Sequence, residues 1–347
     1  MARRYSALVI DVDHDDEVDR HVRAAQAAVD AGAALSVLDD LAAASQVLED
    51  PRLDRSLVAV RHAAFAELPH TPGHATWPGH HSDPFPDERG VPTVAPGDLT
   101  GSVIGGALVH HGCLRVDGLL TAEQAVEMRA LVERAFAGRE RVLADPGSDS
   151  PDWVPFEPGR ERASGFGADG FVRTVDAPAA LRTLAGYFAR TGVTTAVTDY
   201  LGERPAMIAN KWVLRCSPSG KAGTDYHQDG AFLGEGIRIV DCWIALSPCG
   251  PGTGRPAIDL VPRRFGAVIP SPPDAAFGWS LTEQAVHAEM PGAPVASPVF
   301  APGDALFFDE LLPHRTSVGL DLGERYAIES WFVAPSSYPA RHVPVVL

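Results

Sequence analysis

The sequence predicts a mainly β fold, a sandwich or barrel with flanking helices. Two observations carry this. From Ala206 onward, short β-patterned runs at 207–216, 240–246, 257–261, 305–308 and 326–333 are broken by Gly and Pro. Many short strands with such turns close into a sandwich or barrel rather than an open parallel sheet. Before Ala206, apolar residues recur mostly at helical spacing, which places the helices outside the sheet.

In order along the chain, 7–12 reads as a short strand. Val18, Val22, Ala25 and Val29 then mark a helix, with Gly32 and Asp50-Pro51 as punctuation. Residues 68–98 are dense in Pro, Gly and His, among them His70, His74, His80 and His81. A polar linker or irregular lid accounts for them better than a second metal site. The main domain is expected to span 99–347, with 1–98 a helical extension plus linker. Residues 109–116 read as a strand. Thr121-Ala122-Glu123-Gln124 is a capping box, after which Ala125, Met128, Val132 and Phe136 share a helical face. The stretch 138–170, rich in Gly, Pro and Asp, reads as a loop able to line a site. Leu181, Leu184 and Phe188 predict one helix, and Val193, Val197 and Leu201 another that ends at Gly202. No internal repeat is visible, and the Gly-rich 250–254 lacks the Gly-Lys-Ser/Thr ending of a phosphate loop.

Composition narrows the function. The 347 residues are 45% hydrophobic, enough for a large core, and carry a formal net charge of -16. Such a surface repels phosphate backbones and anionic membranes, so a small-molecule partner is expected and no nucleic acid or membrane. No stretch is long and apolar enough to span a bilayer, and the N-terminus lacks a signal-peptide core. Cys113, Cys216, Cys242 and Cys249 form no Cys-x-x-Cys pair, which fits reduced thiols and a cytoplasmic location. Basic residues are arginine except Lys211 and Lys221; with abundant Ala, Gly and Pro this is the pattern of a GC-rich bacterial coding bias. Oligomeric state is not legible.

The chemistry centres on Thr224-Asp225-Tyr226-His227-Gln228-Asp229-Gly230. In an extended segment His227 and Asp229 point to one face. His314 stands in a second strand-like context. Two His and one carboxylate form the facial set of non-haem Fe(II) oxygenases, with three positions left open. Arg325 opens a further strand-like run, where a guanidinium can grip a carboxylate with two prongs. Asn210 shares a strand face in the 207–216 run, where it can bond a metal-bound carboxylate or serve as a structural amide.

This ordered set resembles the phytanoyl-CoA dioxygenase family of Fe(II)/2-oxoglutarate oxygenases. The resemblance is carried by His227-Gln228-Asp229, Trp243, the turn Pro302-Gly303-Asp304, His314 with Thr316, and Arg325. It does not cover 1–98. It implies a double-stranded β-helix, or jelly roll. It further implies iron on His227, Asp229 and His314, with 2-oxoglutarate chelating that iron and reaching Arg325 and Thr316. O2 is the oxidant, and Trp243 matches an aromatic that lines the cofactor pocket in relatives, a plain core tryptophan being the alternative. Gln228 points away from the metal face. Arg173 and Glu329 are candidates for substrate contact or support, whereas His110, His111 and His287 are structural. Relatives carry Pro-Gly-Ser-His after the central strand; here 261–265 reads Val-Pro-Arg-Arg-Phe, which weakens inference about substrate. Hydroxylation of a small molecule, in bacterial specialised metabolism, is the expected outcome. Desaturation, epoxidation, oxidative cyclisation and a non-catalytic cupin-like metal protein stay open. Iron halogenases of this class lack the carboxylate, so Asp229 disfavours halogenation.

Overall fold

A computed structural model of the chain describes residues 2–69, 77–145, 147–157, 170–211, 214–217, 225–317 and 323–347, with side chains from residue 14 onward. His70 and His74, the 158–169 part of the expected loop, and Thr224 lie outside the described residues.

The described helices are α1 (Ala2–Asp30), α2 (Leu38–Leu48), α3 (Pro51–Ala63), α4 (Gly101–His111), α5 (Ala122–Ala144), α6 (Pro178–Arg190), α7 (Val193–Leu201), α8 (Gly230–Leu233) and α9 (Glu283–Glu289). The strands are β1 (Thr93–Val94), β2 (Cys113–Val116), β3 (Phe171–Val172), β4 (Ala206–Ile208), β5 (Leu214–Ser217), β6 (Tyr226–His227) and β7 (Ile239–Ala245). They continue with β8 (Ile258–Leu260), β9 (Ser280–Leu281), β10 (Ala305–Phe308), β11 (His314–Thr316), β12 (Arg325–Val333) and β13 (Pro344–Val346). No described helix is long and apolar enough to cross a membrane.

The strands form a jelly roll of two sheets. The larger runs β1-β2-β10-β7-β12-β4-β13, with β5 also on β12 and β3 on β5; the smaller runs β8-β11-β6-β9. Neighbours come from distant parts of the chain, so residues far apart in sequence meet between the sheets. β12 is the central element. Along it Arg325, Ala327, Glu329 and Trp331 face the space between the sheets, by strand alternation. Ile328, Ser330 and Phe332 face the helices and are fully buried, with Phe332 edge-on to Phe188 of α6 at 5.1 Å. Both faces are therefore covered, which is why this strand and β7 read as near-continuous apolar runs.

The turn before β10 shows local logic. Gly303 takes φ +97, a left-handed conformation that favours glycine. Asp304 then accepts from the backbone N–H groups of Gly118 and Ala301, each at 2.8 Å, and from Arg115 Nη2 at 2.9 Å. The capping box of Thr121 and Gln124 is present as expected.

Several expectations are corrected. Residues 7–12 are part of α1, the apolar run being too short to distinguish strand from helix. The strand expected over 109–116 begins only at Cys113, because Gly112, at φ +75, caps α4 by returning its N–H to Leu108. The run 207–216 is two strands, β4 and β5, so its residues do not share one face. α5 carries on to Ala144, well into the expected 138–170 loop. β1 precedes residue 99 yet pairs with β2 inside the large sheet.

The N-terminal helices have their own core of Leu38, Leu53, Leu57 and Val60, shared with Val346 of β13. Buried Arg61 donates to the Val346 carbonyl at 2.5 Å, and Asp54 takes Ser45 Oγ at 2.7 Å and Arg182 at 2.9 Å. This layer braces the β13 edge of the large sheet.

Candidate metal centre and cavity

His227 ends β6 and His314 opens β11, and antiparallel register sets them directly opposite each other. Their ring centroids are 4.3 Å apart. Asp229 joins them differently from the extended reading. The strand stops at His227, and Asp229, at φ -63 and ψ -26, caps the single turn α8. Gln228, between them, is buried and points away. Its amide donates to Leu311 O at 2.6 Å and Ala267 O at 3.2 Å and accepts from Ile269 N–H at 2.7 Å, tying the loop in place.

One donor atom from each of His227, Asp229 and His314 lies within 4.8 Å of the others, and His227 Nε2 is 3.9 Å from Asp229 Oδ1. The surroundings suit metal binding. His314 Nδ1 donates to Leu312 O at 3.0 Å, and His227 Nδ1 to Asp225 O at 3.4 Å, which leaves Nε2 of each ring as the free donor atom. Burial, together with neighbouring His314, pushes the His227 imidazole down to about 3, so it stays neutral. Burial alone would raise Asp229. His314, Lys211, His227 and the Trp331 hydrogen bond outweigh it and hold the carboxyl below its ordinary value, ionised. Two imidazoles and one carboxylate on one side fit a divalent iron-type ion.

Trp331 was not foreseen. Its indole N–H donates to Asp229 Oδ2 at 2.7 Å, leaving Oδ1 toward the histidines. That is one of the two roles open to Asn210, which accepts from Val343 N–H at 2.9 Å and so takes the other, that of a structural amide. The signal for Trp331 was available: it shares β-alternation with Arg325.

The three donors open on a cavity of about 340 Å3. Arg325 and Thr316 line it. Arg325 is 1% exposed, with Nη1 on Ala257 O at 3.2 Å and Nη2 on Ser217 Oγ at 3.1 Å, while its Nε has no partner among the described residues. No described carboxylate pairs with it. Its guanidinium lies 5.5 Å from the ring centre of Trp243, which also lines the cavity and is fully buried. Burial lowers the Arg325 pKa to about 10, still well above neutrality. A buried, charged fork with no acidic partner among the described residues is able to grip a carboxylate with two N–H donors.

Other expected residues fall elsewhere. Arg173 is bound to Asp176 at 2.5 Å and to Glu157 at 3.4 Å. Glu329 lines the cavity but is paired with Arg215. His110 contacts His81 O and His111 contacts Asp83, both away from the cavity; His287 lies 3.8 Å from Glu283. In the divergent 261–265 turn, Arg264 pairs with buried Asp309 at 3.0 Å. Lys211, Phe232, Trp279, Arg341 and His342 line the cavity and were not singled out. Each comes from a loop or short helix, where no periodicity marks the inward direction.

The chain matches no protein-family model and no protein of curated function. It is similar to several solved structures. The non-heme alpha ketoglutarate dependent carbocyclase SnoK from nogalamycin biosynthesis has TM-score 0.45 and 16% identity, over 71% of this chain and 87% of that one. EctD from S. alaskensis with 2-oxoglutarate and 5-hydroxyectoine has TM-score 0.45 and 15% identity, over 77% and 87%. The epimerase SnoN in complex with Fe3+, alpha ketoglutarate and nogalamycin RO has TM-score 0.43 and 18% identity, over 66% and 81%. At such identities the chemistry has to be read from this chain's own residues.

Proposed function

We propose that the protein is an iron(II)- and 2-oxoglutarate-dependent oxygenase of the phytanoyl-CoA dioxygenase type, acting on a small molecule. The observation that carries this reading is buried Arg325, unpaired with any carboxylate among the described residues, in the same cavity as the His227/Asp229/His314 set. Holding a guanidinium inside the fold without a counter-charge costs several kcal/mol. A protein that only stored a metal would have no use for it.

When bound, iron(II) with 2-oxoglutarate supplies the oxidising chemistry: 2-oxoglutarate, O2 and substrate R–H give succinate, CO2 and R–OH. His227, Asp229 and His314 would hold the ion, with Trp331 fixing the Asp229 carboxylate through its Oδ2. Arg325 would take the far carboxylate of 2-oxoglutarate, with Thr316 and Trp243 lining the same cavity. The roll and its aromatic mouth orient the substrate. The N-terminal helices act as a brace; none of the described residues of 1–98 lines the cavity.

The test supplies iron(II), 2-oxoglutarate, 18O2 and excess bromide with a panel of candidate substrates, and follows succinate and product mass. The expected result is stoichiometric succinate and labelled product without bromine, since Asp229 occupies the halide position. A brominated product would overturn the role given to Asp229. Loss of two hydrogens without label would indicate desaturation at the same site. Iron binding without any consumption of 2-oxoglutarate would favour a non-catalytic metal protein.

A further inference from the structure

Resting on that reading, we infer that Ser217 is a positioning residue for 2-oxoglutarate binding: its hydroxyl sets the plane in which the Arg325 guanidinium meets the far carboxylate. The placement follows from strand register. Ser217 ends β5 and stands directly opposite Arg325, the first residue of β12. Directly opposite side chains project to one face of a sheet. Ser217 Oγ accepts from Arg325 Nη2 at 3.1 Å, and the Ala257 carbonyl accepts from Nη1 at 3.2 Å. Arg325 lines the cavity, but neither Ser217 nor Ala257 is among the lining residues. Both acceptors therefore hold the guanidinium from behind. Of its five N–H donors, these two bonds engage one on each Nη. The donors left over are Nε–H, which is buried and has no acceptor, and one hydrogen on each Nη. Any two-pronged grip must use a nitrogen whose direction Ser217 or Ala257 sets.

Rotation decides whether such a grip forms. Two parallel N–H···O bonds need the carboxylate to lie in the guanidinium plane. Trp243, 5.5 Å away at its ring centre, offers an electrostatic contact that is indifferent to rotation within that plane. One hydrogen bond, to Ala257, leaves the group able to pivot, and the second, to Ser217, stops the pivot. Of the two acceptors only Ser217 is a side chain, so it is the part that substitution can remove. Two residues earlier, Arg215 pairs with Glu329. β5 thus engages both charged side chains that β12 turns toward the cavity, Arg325 and Glu329. The backbone of β5 does not depend on the hydroxyl. It pairs with β12 from Leu214 to Ser217 and with β3 at Leu214 and Arg215, and Cys216 N–H donates to Gly170 O at 2.9 Å.

The experiment titrates 2-oxoglutarate into full-length, anaerobic, iron(II)-loaded protein, with heat as the readout and iron content measured in the same samples. Ser217→Ala should raise the dissociation constant about threefold to tenfold, as loss of one hydrogen bond predicts, with iron content unchanged. Ser217→Cys, which keeps the bulk but is a poor acceptor, should show the same loss. Ser217→Thr, which keeps the oxygen, should stay within about twofold of the native chain. The decisive arm repeats Ser217→Ala in an Arg325→Lys background. An ammonium has no plane to set, so the loss there should shrink to less than about twofold. Unchanged affinity in both Ser217→Ala and Ser217→Cys would overturn the inference, as would a threonine variant as weak as the alanine one. An equal loss with lysine at 325 would overturn it too, because Ser217 would then touch the ligand itself or merely support the strand. A native protein that binds iron but not 2-oxoglutarate takes down the oxygenase reading as well, whereas native binding without these losses removes only the role of Ser217.

Discussion

The two sheets that enclose the cavity are held together on different terms. In the large sheet, β7 is buried at all seven positions and pairs along its whole length with β12 and over 241–244 with β10. In the small sheet, β6 and β9 have two residues each and β8 and β11 three. Its separate apolar cluster, around Tyr226, Phe265 and Leu281, is much smaller than the main core. Arg325, Trp243 and Trp331 stand on the large sheet, while His227 and His314 stand on the small one. The proposed anion clamp is thus carried by the more deeply buried sheet. The histidines are positioned by a single cross-strand pair and by Gln228, and in the proposed function also by the ion. Metal binding should therefore add most order to the small sheet, because a ligand that binds only the folded site stabilises what it touches.

The largest effect expected from this contrast is that of His314→Ala. It should abolish turnover and stoichiometric iron binding while leaving the large sheet folded. Activity assays, iron analysis and far-ultraviolet circular dichroism check the three parts. Retained activity, or global unfolding, would break the contrast between the sheets.

Trp331→Phe tests the side-chain bond, among the described residues, that reaches from the large sheet to Asp229, the proposed carboxylate ligand. Loss of such support to a ligand typically weakens metal binding by about 10–100-fold. Iron affinity should fall by that order with the thermal midpoint little changed, since the ring's bulk is kept. An unaltered iron affinity would mean that Asp229 needs no help from the large sheet.

The smallest effect concerns pH in the metal-free protein. The unfolded chain takes up a proton on His227 near pH 6.5, whereas the folded site resists until about 3. Between these values the unfolded state binds more protons, so stability falls as pH drops. The urea midpoint should be lower at pH 5 than at pH 7, and His227→Gln should flatten the difference. A midpoint that rises on acidification would contradict this assignment.

Much of this arrangement is legible in the sequence, for identifiable reasons. Strand alternation in 325–333 sets Arg325 inward, and the same count would have found Trp331. The capping box at Thr121 and the left-handed stop at Gly202 are local and read directly. The convergence of His227, Asp229 and His314 was anticipated, although by an extended segment, whereas the chain turns into α8 after one residue. Of the two roles open to Asn210 the structural amide is the one seen, and the shared strand face expected of it is lost because nothing local marks the end of β4 at Ile208. Lys211, Phe232 and Arg341 reach the cavity through tertiary packing of loops, which no periodicity in sequence records. The helix at 7–12 shows the same limit: a short apolar run takes its conformation from what adjoins it.

The central claim is that an unpaired guanidinium on the large sheet and a metal set on the small one form one site. Anaerobic titration of 2-oxoglutarate into the iron-loaded protein, comparing the native chain with Arg325→Ala and Arg325→Lys, tests it most directly. Removing one partner of a buried, hydrogen-bonded charge pair costs about 2–5 kcal/mol. The dissociation constant for Arg325→Ala should therefore rise about thirtyfold to several thousandfold, with iron content intact. Lysine should rescue only in part, because it lacks the planar fork. An unchanged 2-oxoglutarate affinity in Arg325→Ala would contradict the account.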